Sequence, residues 1–229
     1  MNKKLMLLAV LAALTCPLWA GDTAVFVDLG FSADGKIYMF GQYGINSGTL
    51  QPWADLYAVD VSSNSFVPGG KITYVHNSPV MAGHDGSGAL YRVIARNTSL
   101  ADRYNVSFLF QGHLLYVFME NGVNSGSETI EFRDFEKADF FRAVLISSGF
   151  GSTADSSFFI SLKRKSSDGS TRTYTVGNAG IKRPGIISYR IRRVLAAPRT
   201  SSLVFVIEMK KRNTDGSTDI RYMVETLKL

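Results

Sequence analysis

The chain has 229 residues, 45% of them hydrophobic and 19% charged, and a formal net charge of +6. This composition excludes an intrinsically disordered or collagen-like chain, and the length suits one large domain or two small ones. The charge is uneven, because residues 21–136 carry 6 basic and 12 acidic side chains whereas residues 137–229 carry 17 and 7. The basic C-terminal half is typical of solvated loops and sheet edges, and it also favours an anionic surface as a partner.

Residues 1–20 have the pattern of a secretory signal peptide. Two lysines at positions 3 and 4 precede an apolar segment at residues 5–14, and Ala20 stands before the predicted cleavage point. We therefore predict an exported chain, in the periplasm or secreted, with a single all-β domain over residues 21–229. No later stretch is long and apolar enough to predict a transmembrane helix, and nucleic acid is not an expected partner of an exported protein.

Cys16 is the only cysteine, and it lies inside the predicted signal peptide. Simple cleavage after Ala20 would leave a mature chain with no disulfide and no cysteine-ligated metal. The alternative is a lipid anchor on Cys16, although Thr15 stands where a lipidation motif has Gly, Ala or Ser.

The clearest strand pattern lies between residues 24 and 67. Residues 24–29 and 37–40 predict two strands, and the Asp34-Gly35 turn joins them. The polar, glycine-rich residues 41–53 predict a long loop before a further strand at residues 56–61.

This predicted loop is the candidate ligand site, with the residues Gln42, Tyr43, Asn46, Gln51 and Trp53. Aromatic faces combined with side-chain amides suit a peptide or a glycan. The alternative is that Tyr43 and Trp53 only pack the loop onto the sheet.

Apolar residues at helical spacing predict one helix near residues 88–104, which the Asn-Thr-Ser sequence from position 97 can split. Short strands follow it to the C-terminus, with hairpin turns at Asp168-Gly169 and Asp215-Gly216. The spacing predicts a mainly β fold of antiparallel strands, either a β-sandwich or a partial propeller-like meander. Residues 38–49 and 116–127 are identical at six of twelve positions, which indicates a duplicated unit or a chance match.

Catalytic and metal-binding patterns are weak. The histidines His76, His84 and His113 are scattered, and a metal site would need two of them to converge with a carboxylate. No nucleophile elbow or phosphate-binding glycine loop is present, so we predict no metal and no cofactor. Four acidic residues on or beside one strand predict a solvated face rather than a glycosidase pair: Glu128, Glu131, Asp134 and Glu136.

The segments 32–36, 40–45, 55–61 and 66–69 carry a resemblance. On these residues the chain is similar to a family of predicted secreted bacterial proteins of unknown function. Residues 31–36 with 55–60 also resemble a TolB-type propeller repeat. The resemblance implies export and a β fold, and it supplies no catalytic residues.

We therefore expect an exported envelope protein that acts as a non-catalytic binding or structural module. Its expected partner is an envelope protein, a peptide or a glycan. The alternative is a periplasmic hydrolase whose site the sequence does not reveal.

Overall fold

The computed structural model describes residues 21–81, 83–119, 128–149 and 155–229. The predicted signal peptide with Cys16 lies outside these residues, and so does most of the second copy of the internal match. Within the described ranges, none of the helices combines the length and the apolar character needed to span a membrane.

The prediction of a mainly β, antiparallel fold is confirmed. The strands of the described residues are β1 (Val25–Ser32), β2 (Ile37–Ile45), β3 (Pro52–Asp60), β4 (Ser65–Val75), β5 (Val106–Ser107), β6 (His113–Val117), β7 (Glu128–Asp134), β8 (Asp139–Ser148), β9 (Ser157–Lys165), β10 (Thr171–Val176), β11 (Ile186–Ala196), β12 (Ser202–Arg212) and β13 (Thr218–Lys228). They form an N-terminal sheet in the order β4-β3-β2-β1-β5, a central sheet in the order β13-β12-β11-β6, and an outer sheet in the order β10-β9-β8-β7.

The central sheet lies between the other two sheets, and strand β12 shows why. Leu203, Phe205 and Ile207 belong to the core shared with the outer sheet. Val204 and Val206, on the opposite face, belong to the core shared with the N-terminal sheet. An uninterrupted apolar run is typical of a strand that is buried on both faces. The sheets therefore stack face to face as in a sandwich with one extra layer, and they do not adopt the alternative propeller-like arrangement.

The predicted single helix is two short helices, α1 (Ser87–Arg96) and α2 (Thr98–Arg103). Asn97 separates them, and its side-chain nitrogen donates a hydrogen bond to the carbonyl oxygen of Val93 at 2.7 Å. Such a bond competes with the helical backbone pattern, which ends α1 at this point. Both helices cover the face of the N-terminal sheet that points away from the central sheet.

The predicted loop over residues 41–53 was wrong in its extent, because β2 continues to Ile45 and β3 begins at Pro52. The glycines of this stretch mark close approaches rather than a loop. A Cβ atom at Gly41 would lie 2.6 Å from a methyl group of Leu90, and one at Gly44 would lie 2.8 Å from the Trp53 ring.

The predicted solvated acidic face was wrong for Asp134, whose side chain is buried. One of its carboxylate oxygens accepts hydrogen bonds from the backbone N–H groups of Glu136 and Lys137. Asp134 therefore shapes the turn between β7 and β8, as aspartate does in an Asx turn. Glu131 and Glu136 are exposed as predicted, whereas Glu128 is half-buried and accepts a hydrogen bond from the backbone N–H of Ile191 at 3.0 Å.

Candidate functional site

A cleft of about 660 Å³ lies between strands β2 to β4 of the N-terminal sheet and the edge strand β13 of the central sheet. Residues 177–183, which follow β10, close one side of it. The volume is within the range of small-ligand sites, and the cleft combines apolar walls with convergent polar groups. Its main apolar side chains are Phe40, Tyr57, Phe66, Ile181, Met209 and Met223.

An aromatic row crosses the N-terminal sheet and ends in this cleft. Phe40 and Tyr57 are direct partners on β2 and β3, so their rings lie on one face and stack with centroids 4.8 Å apart. Tyr57 in turn stacks on Phe66 at 5.5 Å. Phe66 ends the row on the edge strand β4 and is 52% exposed. Its outer ring face is therefore available to a ligand.

Gln42 connects the two sheets at the base of the cleft. Its side-chain nitrogen donates to a carboxylate oxygen of Asp55 at 3.0 Å. Its side-chain oxygen accepts a hydrogen bond from the backbone N–H of Tyr222 at 2.8 Å. Burial, followed by the charge of Asp55, raises the pKa of the neighbouring Tyr57 phenol.

Glu225 is the buried carboxylate of the cleft, with 5% of its surface exposed. It accepts a hydrogen bond from the side-chain nitrogen of Asn64, and an Arg183 nitrogen lies 3.5 Å from its second oxygen. The side-chain oxygen of Asn64 accepts a hydrogen bond from the backbone N–H of Thr226 at 2.8 Å. Burial raises the pKa of Glu225, while Asn64 and Arg183 oppose that rise. These contacts fix the carboxylate before any ligand arrives.

The raised pKa makes a prediction about the pH dependence of stability. Between the ordinary pKa of 4.5 and the raised one, the folded protein binds the Glu225 proton more tightly than the unfolded chain does. The contribution of this group to stability is therefore greatest at low pH and decreases as the pH rises through the folded pKa. Urea denaturation gives the free energy of unfolding of the wild type and of Glu225→Gln at each pH. The value for the wild type minus the value for the variant should decrease as the pH rises above 4.5. The exposed carboxylate variant Glu131→Gln is the control, and a flat or rising difference for Glu225→Gln would contradict the assignment.

The charges that line the cleft nearly balance. Lys71, Arg183 and Arg221 contribute three positive charges, and Asp55 and Glu225 contribute two negative ones. A cleft with mixed donors and acceptors and little net charge suits an uncharged polar ligand better than a strongly ionic one.

The five residues of the candidate ligand site do not come together. Gln42 alone lines the cleft. Tyr43 packs against the core beneath the helices, on the opposite face of the N-terminal sheet. Asn46 accepts hydrogen bonds within the turn between β2 and β3, and Gln51 donates to the carbonyl oxygen of Asn77 at 3.2 Å. Trp53 contacts the side chains of Asp22 and Arg221 instead of lining the cleft.

Trp53 is part of a cluster that ties three segments of the chain. Its indole N–H donates to a carboxylate oxygen of Asp22 at 2.6 Å, and the Arg221 guanidinium lies 4.1 Å from the centre of its ring. Arg221 also pairs with the Asp22 carboxylate at 2.7 Å. The segment before β1 thereby joins β13, where the backbone N–H of Ile220 donates to the carbonyl oxygen of Asp22.

Sequence reasoning missed the aromatic row and the buried carboxylate. The signal for the row was an aromatic residue in each of three consecutive strands. Because successive side chains of a strand point to opposite faces, the positions of these residues place all three rings on the same face of the sheet. Asn64 and Glu225 gave no such signal, because they are 161 residues apart in the chain.

The three histidines lie away from the cleft. His76 shares a hydrogen bond with the Tyr74 hydroxyl at 3.0 Å, and His113 lies 3.5 Å from the exposed carboxylate of Glu136. His84 is exposed in the segment before α1. Among the described residues, no group of three or more His, Cys, Asp or Glu side chains is arranged to hold a metal ion.

Comparison with known proteins finds a matching family model. The family model described as "Predicted secreted protein (DUF2259)" matches residues 39–228, which include every residue that lines the cleft. No curated protein and no solved structure matches the chain.

Proposed function

The chain belongs to the DUF2259 family of predicted secreted proteins, and from this premise we propose that it is a non-catalytic binding protein of the cell envelope. The proposed ligand is an uncharged sugar unit of a glycan, held in the cleft between the N-terminal and central sheets. The observation that carries the proposal is the exposed face of Phe66 beside the fixed polar groups of Gln42, Asn64 and Glu225.

The chemistry of the cleft supports a sugar. A sugar hydroxyl both donates and accepts hydrogen bonds, and this cleft offers amides, carboxylates and guanidinium groups within one volume. The C–H face of a sugar ring packs on an aromatic face such as that of Phe66. Asp55 and Glu225 are already oriented by Gln42, Asn64 and Arg183, so little ordering is required when a ligand binds.

The proposed compartment is the periplasm, or the medium after secretion. Attachment through a lipidated Cys16 is the alternative location. Both follow from the signal-peptide pattern of residues 1–20.

The hydrolase alternative has less support. It would need a histidine beside a serine or carboxylate in a cleft, or two carboxylates free to act on a substrate. Among the residues that the structure describes, no histidine lines the cleft between the sheets, and the carboxylates that do, Asp55 and Glu225, are both hydrogen-bonded to side-chain amides.

The test is the loss of glycan binding when the exposed ring is removed. A glycan array of neutral oligosaccharides identifies a binding sugar, and isothermal titration then gives its Kd. Phe66→Ala should weaken binding by about two- to tenfold, because a stacked aromatic contact is worth about 0.5–1.5 kcal/mol. Folding should be unaffected, because half of the Phe66 side chain is already exposed.

Tyr91→Ala is the matched control, since Tyr91 is an exposed aromatic residue on α1, across the N-terminal sheet from the cleft. An unchanged Kd for Phe66→Ala, or an equal loss for both variants, would exclude the cleft as the sugar site. Binding of a peptide library with no glycan binding would replace the sugar by a peptide.

A further inference from the structure

Strand β13 is an edge strand of the central sheet, and its outer edge faces the cleft. In an antiparallel sheet, alternate residues of such a strand direct both their N–H and their carbonyl group away from the neighbouring strand. Ile220, Tyr222 and Thr226 show which residues of β13 point outward. The N–H of Ile220 donates to the carbonyl oxygen of Asp22, and the carbonyl oxygen of Ile220 accepts a hydrogen bond from the N–H of Ala24.

Side-chain amides take the next outward N–H groups along this edge. The N–H of Tyr222 donates to the side-chain oxygen of Gln42, and the N–H of Thr226 donates to that of Asn64, both at 2.8 Å. Gln42 is itself held by Asp55, and Asn64 by Glu225. The two amides therefore occupy fixed positions on the edge of β13, four residues apart.

Val224 lies midway between these two amides and points the same way. Its N–H and carbonyl groups are directed away from β12 and toward the cleft, which Val224 lines. Among the described residues, neither group has a hydrogen-bond partner on this side of the strand. Val224 is only 8% exposed, and buried backbone N–H groups are rarely left without a partner. The outer edge at Val224 therefore points to a polar group of a ligand.

The space at Val224 suits one small polar group rather than a further strand. A peptide that extends the sheet would pair with several outward residues in succession. The outward N–H groups of Tyr222 and Thr226 are already occupied by Gln42 and Asn64, so only the position between them remains.

The facing wall of the cleft offers a hydrogen-bond acceptor. The carboxylate of Asp55, on β3, receives one hydrogen bond from Gln42, and a carboxylate can accept several. A trans secondary amide directs its carbonyl oxygen and its N–H to opposite sides. Such an amide matches a donor at Val224 on one wall and an acceptor at Asp55 on the other. The thioether side chains of Met209 and Met223 also line the cleft and suit a small apolar group.

We propose that the sugar unit bound in the cleft carries an acetamido group, as an N-acetylated hexosamine does. The acetamido oxygen accepts the Val224 N–H, the acetamido N–H donates to Asp55, and the methyl group packs against Met209 and Met223. The group is uncharged, in agreement with the near balance of charges in the cleft. The inference rests on the proposed function, because it specifies the sugar that this cleft selects.

The test compares tetramers of N-acetylglucosamine and of glucose that have the same linkage and differ only at the second carbon of each ring. Isothermal titration should give a Kd at least ~10-fold lower for the N-acetylated tetramer, because the other one leaves the Val224 N–H without its partner. The tetramer of glucosamine, which lacks the acetyl group, should not show this gain. Phe66→Ala is the control, since loss of the ring should weaken both neutral tetramers by a similar factor.

Two further measurements locate the acetamido group. In the nitrogen–proton correlation spectrum of the wild type, the Val224 amide signal should shift with the N-acetylated tetramer and much less with the glucose tetramer. Val224→Pro removes the outward N–H without removing a hydrogen bond to β12, and proline is tolerated at such edge positions. In this variant the two neutral tetramers should bind with Kd values within about twofold of each other. Thermal unfolding establishes whether the variant is folded, and the wild-type spectrum decides if it is not.

Equal or tighter binding of the glucose tetramer would overturn the acetamido assignment and leave the cleft as a sugar site. A preference for the N-acetylated tetramer without a shift of the Val224 amide signal would also overturn it, and so would a folded Val224→Pro variant that keeps the preference. Absence of binding to every neutral glycan would overturn the proposed function together with this inference.

Discussion

Replacing Phe205 by alanine is expected to lower the free energy of unfolding by about 3–5 kcal/mol, the usual cost of truncating a buried phenylalanine. Phe205 is fully buried in the middle of β12, within the core that joins the central sheet to the outer sheet. Its neighbours are strands on both sides of β12, so the surrounding structure has little freedom to collapse into the cavity. Equilibrium denaturation with urea measures the change.

The neighbouring Val204→Ala variant tests the opposite face of the same strand. Val204 belongs to the core shared with the N-terminal sheet, and removal of its two methyl groups should cost about 2 kcal/mol. Ile146→Ala, at a partly exposed position on β8, should cost clearly less. If Val204→Ala were no more destabilising than Ile146→Ala, β12 would be buried on one face only, and the three-layer stack would be wrong.

The strands were predictable because their signals are local. The hairpins around Asp168-Gly169 and Asp215-Gly216 join β9 to β10 and β12 to β13, as their turn residues predict. The number of layers was not read from the sequence, although the apolar run of β12 carried that information. Such a run, from Leu203 to Ile207, distinguishes a strand between two sheets from one with a solvated face.

The stretch after Phe40 was misread because glycine has two uses. In a local pattern, Gly41 and Gly44 indicate a flexible loop. In the folded protein they leave room for Leu90 of α1 and for the Trp53 ring. Which use applies depends on what packs against the strand, and α1 lies more than forty residues further along the chain. Local sequence patterns carry no information on that contact.

The cleft could not be predicted from local sequence patterns either, because its residues come from distant parts of the chain. Gln42 was predicted as a ligand contact and does line the cleft, but its partners Asp55 and Tyr222 come from different sheets. Asn64 meets Glu225 only because the turn after β3 reaches the edge strand β13. A cleft formed by two sheets has no contiguous motif, so the sequence placed all of its candidate ligand residues in one predicted loop, and only Gln42 of them lines the cleft.

Replacing Trp53 by alanine should lower the free energy of unfolding by about 3–5 kcal/mol. Trp53 is 7% exposed, its indole N–H donates to Asp22, and the guanidinium of Arg221 lies over its ring. Removal of the ring would open a cavity and leave the buried carboxylate and the guanidinium without their shared neighbour. The segment before β1, β3 and β13 would lose their common contact, and urea denaturation would report the loss.

Trp53→Phe separates this structural role from the ligand role that the sequence suggests. The phenyl ring keeps most of the buried volume and removes the hydrogen bond to Asp22, so stability should fall by about 1–3 kcal/mol. Sugar affinity in the cleft should stay within about twofold of the wild type at a temperature where both proteins are folded, because Trp53 is not among the cleft-lining residues. A large loss of affinity with unchanged stability would instead make Trp53 a ligand contact. The combination we expect, a clear loss of stability without loss of affinity, assigns Trp53 to the junction of the two sheets.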